Sequence, residues 1–150
     1  MDIETIVSEA AETIRLIPLL ADVPVIEENR GDVDGEMKLK MAQQSVCVMV
    51  GWSGFTPTIQ GPTAPNGEIF GSVTVVVSVF EKPVVNRATP GAPTCQEIAK
   101  AVAHELHGAS AEGMDAPLFL KKITPVSELG SSPDGSVVTC DVEFETKTSI

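Results

Sequence analysis

Between Val73 and Gly108 a valine-rich strand, VTVVVSVFEKPVVNR, is expected to pass through a Pro/Gly turn into the pattern TCQEIAKAVAHELHG. Val73, Val75, Val77 and Val79 recur at the two-residue period of a strand, and Thr74, Val76, Ser78 and Phe80 take the other face. The first set is core; the second is semi-apolar and suited to contact with another subunit. Thr94 and Glu97 then form a capping-box pattern, in which the cap itself contributes about 1 kcal/mol. Ile98, Val102 and Leu106 make the buried stripe of the helix that follows, and Gly108 supplies a left-handed stop. A valine strand feeding a capped amphipathic helix dictates architecture, and no nucleophile, acid/base pair or metal cluster assembles along it.

The remaining elements fit around this unit. Ile3, Ile6, Val7, Ala10, Ile14 and Ile17 fall on one helical stripe with Glu4, Glu9, Glu12 and Arg15 outside it, and Pro18 closes that helix. A short extended piece follows from Val23 to Glu27. The strong helix formers of Asp32 to Gln44 predict a short helix. Ser45 to Trp52 reads as a strand with Val46, Val48, Val50 and Trp52 on one face and Cys47 and Met49 on the other, apolar on both sides like a central strand. Gly51 to Gly71 is rich in Gly and Pro and contains the turn signal Asn66-Gly67, which predicts a projecting hairpin arm. A strand is expected from Leu118 to Val126, then a turn at Ser131, Pro133, Asp134 and Gly135. In the last strand Val138, Cys140, Val142 and Phe144 point inward and Thr139, Asp141, Glu143 and Glu145 outward. Its row of carboxylates is read as protecting an exposed sheet edge. The order predicts a single α+β domain over residues 1–150: a mixed, mainly antiparallel sheet with helices packed on one face and a projecting hairpin arm.

Composition narrows the function. The chain has 150 residues, 43% of them hydrophobic, enough for one domain with a real core. Only 4% are aromatic, with no tyrosine and one tryptophan, so a base- or sugar-stacking platform is disfavoured. The formal net charge of -11 repels phosphate backbones, and the basic pairs Lys38 with Lys40 and Lys121 with Lys122 are too short to reverse that. Cys47, Cys95 and Cys140 are far apart and odd in number, as expected of free thiols in a reduced compartment. The amino terminus lacks a signal-peptide pattern, and no run is apolar enough to span a membrane, so a cytoplasmic protein is expected.

Two constellations invite a chemical reading. His104-Glu105-Leu106-His107 places two histidines three apart, where the zinc-protease motif has them four apart, and the chain holds no third histidine. Both lie off the apolar stripe at a helix end, where they meet the negative end of the dipole. A small metal- or ligand-binding domain using His104 and His107 is the enzyme-like alternative. Asp141, Glu143 and Glu145 share a strand face about 7 Å apart. Acid/base work needs a carboxylate in an apolar pocket, and alternation puts these on the solvent side. No cofactor or metal is expected. The surface candidates are Trp52, Phe55, Asn66, Val76, Phe80, Asp141, Glu143 and Glu145, read as a subunit or partner interface.

The segment VVVSVFEKPVVNR from Val75 to Arg87, the Thr94 to Gly108 helix and the acidic last strand resemble the small tail-terminator, or tail-completion, proteins of tailed bacteriophages and prophages. The resemblance covers most of the chain in element order: amino-terminal helix, central strand ending in Glu81-Lys82-Pro83 with Asn86-Arg87 after it, and a helix closing in Leu106-His107-Gly108. It implies a non-enzymatic subunit of a ring, a hexamer, that caps the tail tube and supports joining to the head. Its implied partners are copies of itself, the tail tube and head-tail connector proteins. The implied location is the bacterial cytoplasm during assembly and the virion tail thereafter. A neck, connector or minor tail protein shares the size and acidity and stands as the alternative.

Overall fold

Asp2 opens the first helix, α1 (Ile3–Arg15), by accepting the Thr5 amide at 2.8 Å in a computed structural model that describes residues 2–28, 45–58, 67–110, 116–132 and 135–150. The stripe read from the sequence is its buried face, with Ile6, Val7, Ala10 and Ile14 inside. The helix ends before Pro18, which begins a single 3-10 turn to Leu20. Three strands follow: β1 (Val25–Glu27), β2 (Val46–Pro57) and β3 (Phe70–Glu81). Next come a short helix α2 (Pro83–Arg87) and the longer α3 (Cys95–Leu106). Strands β4 (Phe119–Ile123), β5 (Ser127–Ser132) and β6 (Gly135–Ser149) complete the described elements.

The fold is α+β. The described strands form one six-stranded sheet in the order β1-β2-β3-β6-β4, with β5 also paired to β6. Only β1 runs parallel to its neighbour; the other pairs are antiparallel. Helices α1 and α3 pack on one face, against β2, β3 and β6. There Val48, Val50, Val73, Val75, Val77, Val142 and Phe144 lose all contact with water beneath Val7, Ile14, Ile98 and Leu106. Each fully buried aliphatic side chain of this kind stabilises the fold by about 1.5–3 kcal/mol. The opposite face of β2 and β3 holds a smaller cluster of Cys47 and Phe80, with Met49 and Val137 against it.

Three expectations change. First, β6 is an interior strand, with β3 on one side and β4 and β5 on the other. Its acidic row therefore guards no edge, since which strand lies outermost depends on long-range pairing that alternation does not encode. Second, the valine run does not continue as strand through Arg87. Pro83, lacking an amide hydrogen, starts the α2 turn directly after Glu81 ends β3. Third, Ser127–Ser132 is a strand in its own right, paired antiparallel with β6 up to Ser132 opposite Gly135. The expected hairpin arm is sheet at its base. Gly51 to Pro57 pair with Gly71 to Val76 across a bulge between Trp52 and Gly54, and Thr58 donates to the Phe70 carbonyl at 2.8 Å. The tip from 59 to 66, Asn66 included, and the helix expected at Asp32 to Gln44 lie outside the described residues.

The two outer edges of the sheet are finished differently. On the β1 side, Arg15 of α1 donates to the Val25 carbonyl at 3.0 Å and pairs with Glu27 at 3.2 Å, while Ser8 donates to the other Glu27 oxygen at 3.0 Å. That edge is three residues long and tied to a helix. Strand β4 is exposed along its whole length.

Candidate functional site

Two surfaces gather the residues singled out by the sequence. One is the sheet face away from α1 and α3. Cross-strand pairing sets Thr74 opposite Glu145, Val76 opposite Glu143 and Ser78 opposite Asp141, and sets Lys122 of β4 on the other flank of Glu143. The acidic row and the semi-apolar row of β3 thus form one continuous half-buried face, with a lysine at its margin. Phe80 belongs to the same face but is only 8% exposed, sunk into the small cluster with Cys47.

The second surface is the far end of the β2–β3–β6 sheet. A bulge between Trp52 and Gly54 keeps Trp52, opposite Val75, and Phe55, opposite Val73, on the helix-side face. Phe55 packs against the core, whereas Trp52 remains 42% exposed. Beyond them Ile69 and Ile150 exchange backbone hydrogen bonds at 2.9 and 3.0 Å, and both side chains stay exposed beside Phe70. Gly71 is required here, because a Cβ would meet the Thr56 carbonyl oxygen, Phe55 Cζ at 2.7 Å and Pro57 Cα at 2.8 Å. This apolar end is assembled by pairing between β2, β3 and β6 and has no local signal beyond isolated Ile and Phe residues.

A cleft of about 440 Å³ opens where β6 outruns β4. Phe119, the first residue of β4, pairs with Glu145, whereas β6 continues beside β3 to Ser149. Phe119 and Leu120 wall the cleft, Thr146 lies in it, and Lys121, Lys147 and Glu145 bring the charge. The Thr146 hydroxyl is buried and donates to the Ala116 carbonyl at 2.9 Å. Sequence reading passed over this site, whose walls come from segments some twenty-five residues apart and whose lysines look like ordinary solvated groups.

The two histidines stand at the carboxyl end of α3. His104 is exposed on α3. His107, the C-cap residue, accepts the Leu120 amide at Nδ1 over 2.9 Å and packs edge-on against Phe119 with ring centroids 6.1 Å apart. A nitrogen that accepts an amide carries no proton, so this ring ties β4 to the end of α3 instead of offering that nitrogen to the helix dipole. No group of three or more His, Cys, Asp or Glu suited to a metal occurs among the described residues. No described helix is long and apolar enough to cross a membrane.

The thiols are buried as well. Burial pushes Cys47 up to about 12; burial, with Cys140 and Glu81 adding to it, pushes Cys95 up to about 12. Burial and then the neighbouring Asp141 raise Cys140. Cys95 donates to the Val79 carbonyl at 3.3 Å and Cys140 to that of Thr124 at 2.9 Å, as small core residues do.

The EKPVVN stretch has a structural role. Glu81, buried at the end of β3, accepts the Cys95 amide at 3.1 Å at the start of α3 and the Asn86 side-chain amide at 2.7 Å. Asn86 also donates to the Pro93 carbonyl at 2.9 Å and accepts from Ser45 at 2.5 Å. One buried carboxylate and one buried amide thus join the end of β3, the α2 turn, the start of β2 and the first turn of α3.

No family model matches the sequence, and no curated protein does. A solved protein chain aligns with 99% of this chain and 97% of its own, at 14% identity and a TM-score of 0.48. That likeness is too distant to say what either protein does.

Proposed function

We propose that this chain is a non-enzymatic structural subunit of the tail-terminator kind, which assembles with copies of itself into a ring that caps a phage or prophage tail tube and supports head joining. The observation that carries the reading is the uneven cover of the sheet. Helices α1 and α3 bury one face, while the other presents Thr74, Val76 and Ser78 beside Asp141, Glu143 and Glu145, half-buried within the subunit. In a ring, the acidic row lines the channel, where like charge lets a DNA duplex pass without adhering. The apolar far end of the sheet, with Trp52, Ile69 and Phe70 exposed, gives such a subunit material for contact with its neighbours.

The test is light scattering coupled to size-exclusion chromatography across a range of concentrations, with and without purified tail tubes. A closed oligomer of fixed size, or a monomer that becomes one on tubes, is the expected result. A monomer at every concentration that also ignores tubes overturns the reading.

A further inference from the structure

Resting on the ring reading above, we propose that the cleft beside β4 receives the Glu68–Phe70 segment, which leads into β3, of a second copy. The cleft is where the sheet steps back, lined by Phe119 and Leu120, with Lys121, Lys147 and Glu145 as its charged groups among the described residues. Two of the chain's ten basic residues thus converge on one recess of a molecule whose net charge is -11. Glu68, Ile69 and Phe70 form the converse surface, a carboxylate followed by two apolar side chains, 48% and 36% exposed, held in place by the Ile69–Ile150 backbone pair.

Within one subunit β6 separates Phe70 on β3 from Phe119 and Leu120 on β4, so the apolar parts of the two surfaces do not meet, although Lys147, opposite Ser72, lies diagonally across from Phe70. Self-matched pairing is disfavoured for both: cleft against cleft brings Lys121 and Lys147 toward their own copies, and the Glu68–Phe70 segment against its copy opposes Glu68 to Glu68. A contact of one surface with the other sets Glu68 near Lys121 and Lys147 and lays Ile69 and Phe70 against Phe119 and Leu120, and in the ring proposed above that contact is head-to-tail. Contacts between two different patches are the kind that close into rings. The contrast between the sheet edges agrees. The β1 edge is held by Arg15, and β4 is left exposed beside the recess.

The test is a charge swap read by light scattering, with circular dichroism melting of every variant to establish folding. Glu68→Lys and Lys121→Glu each place like charges across the contact and are expected to dissociate the oligomer at concentrations where the unaltered protein is assembled. The double variant, Glu68→Lys with Lys121→Glu, restores opposite charges and is expected to reassemble. If folded single variants stay assembled, or if the double variant fails to recover, the inference is overturned while the ring reading stands. An unaltered protein that is monomeric throughout and ignores tubes overturns both.

Discussion

Replacing Asn86 by alanine removes the centre of the buried junction between β3, α2 and α3. In the folded protein its amide group satisfies the Glu81 carboxylate at 2.7 Å, the Pro93 carbonyl at 2.9 Å and the Ser45 hydroxyl at 2.5 Å, and Asn86 is 3% exposed. A hydrogen bond to a charged group is worth about 1.5–3 kcal/mol, a neutral one about 1 kcal/mol, and buried partners left alone add their desolvation. Asn86→Ala is therefore expected to cost about 3–5 kcal/mol. With a urea slope of about 2 kcal/mol/M, the unfolding midpoint falls by about 1.5–2.5 M. Asn86→Asp keeps the shape but turns a donor into a second carboxylate beside Glu81. At an effective dielectric constant of about 20, like charges about 4 Å apart repel by about 4 kcal/mol, so the aspartate variant is expected to be less stable than alanine at pH 7. Urea unfolding followed by far-ultraviolet circular dichroism measures both. A loss below about 1 kcal/mol for alanine, or an aspartate variant more stable than the alanine one, refutes the assignment of this junction as a buried, charge-centred network.

Two further predictions concern packing and thiols. Gly71→Ala drives a methyl group into the β2 backbone and is expected to cost about 1–3 kcal/mol, whereas Gly54→Ala, with open space around its Cβ position, stays within about 0.5 kcal/mol; thermal melting of the pair tests the contrast. The three cysteines are expected to resist an aromatic disulfide reagent at pH 8 in the folded protein and to react fully in guanidinium. Because folding raises their titration above that of a free thiol, the unfolded chain loses these protons first. The thiols' stabilising contribution is thus intact below the ordinary thiol range of about 8.5 and declines as pH rises from there toward about 12, measurable as a falling urea midpoint.

Elements defined by their own periodicity were legible in the sequence. The α1 stripe, the alternation of β3 and β6, the Thr94 cap and the Gly108 stop all stand where short-range pattern puts them; Thr94 accepts the Glu97 amide at 3.2 Å, and Gly108 has φ 78°. Strand order was not legible. Alternation tells which face of β6 is wet but not that β4 and β5 lie beyond it, so the acidic row was assigned to an edge it does not occupy. Glu81 and Asn86 read as polar residues of a connection, because burial of a charge depends on partners from four separate segments. Of the interface candidates, Val76, Asp141, Glu143 and Glu145 do share one face, and Trp52 and Phe55 share another, whereas Phe80 turns into the subunit. The cleft escaped notice because it is made by one strand ending before its neighbour, a property of register and not of composition.

The placement of β6 also governs when this protein can exist. The strand made last among the described elements supplies pairing to β3, β4 and β5 and lays Val142 and Phe144 into the core. Until β6 has emerged, the valine strand β3 lacks its partner on that side, and β4 and β5 lack the strand they pair with. Contacts joining residues near 75 to residues near 144 place such a topology among the slower-folding mixed domains. During synthesis the border of β3 is a sticky surface that only its own carboxyl-terminal strand covers correctly, so translation must run nearly to Ser149 before the molecule is safe from its neighbours on the same message.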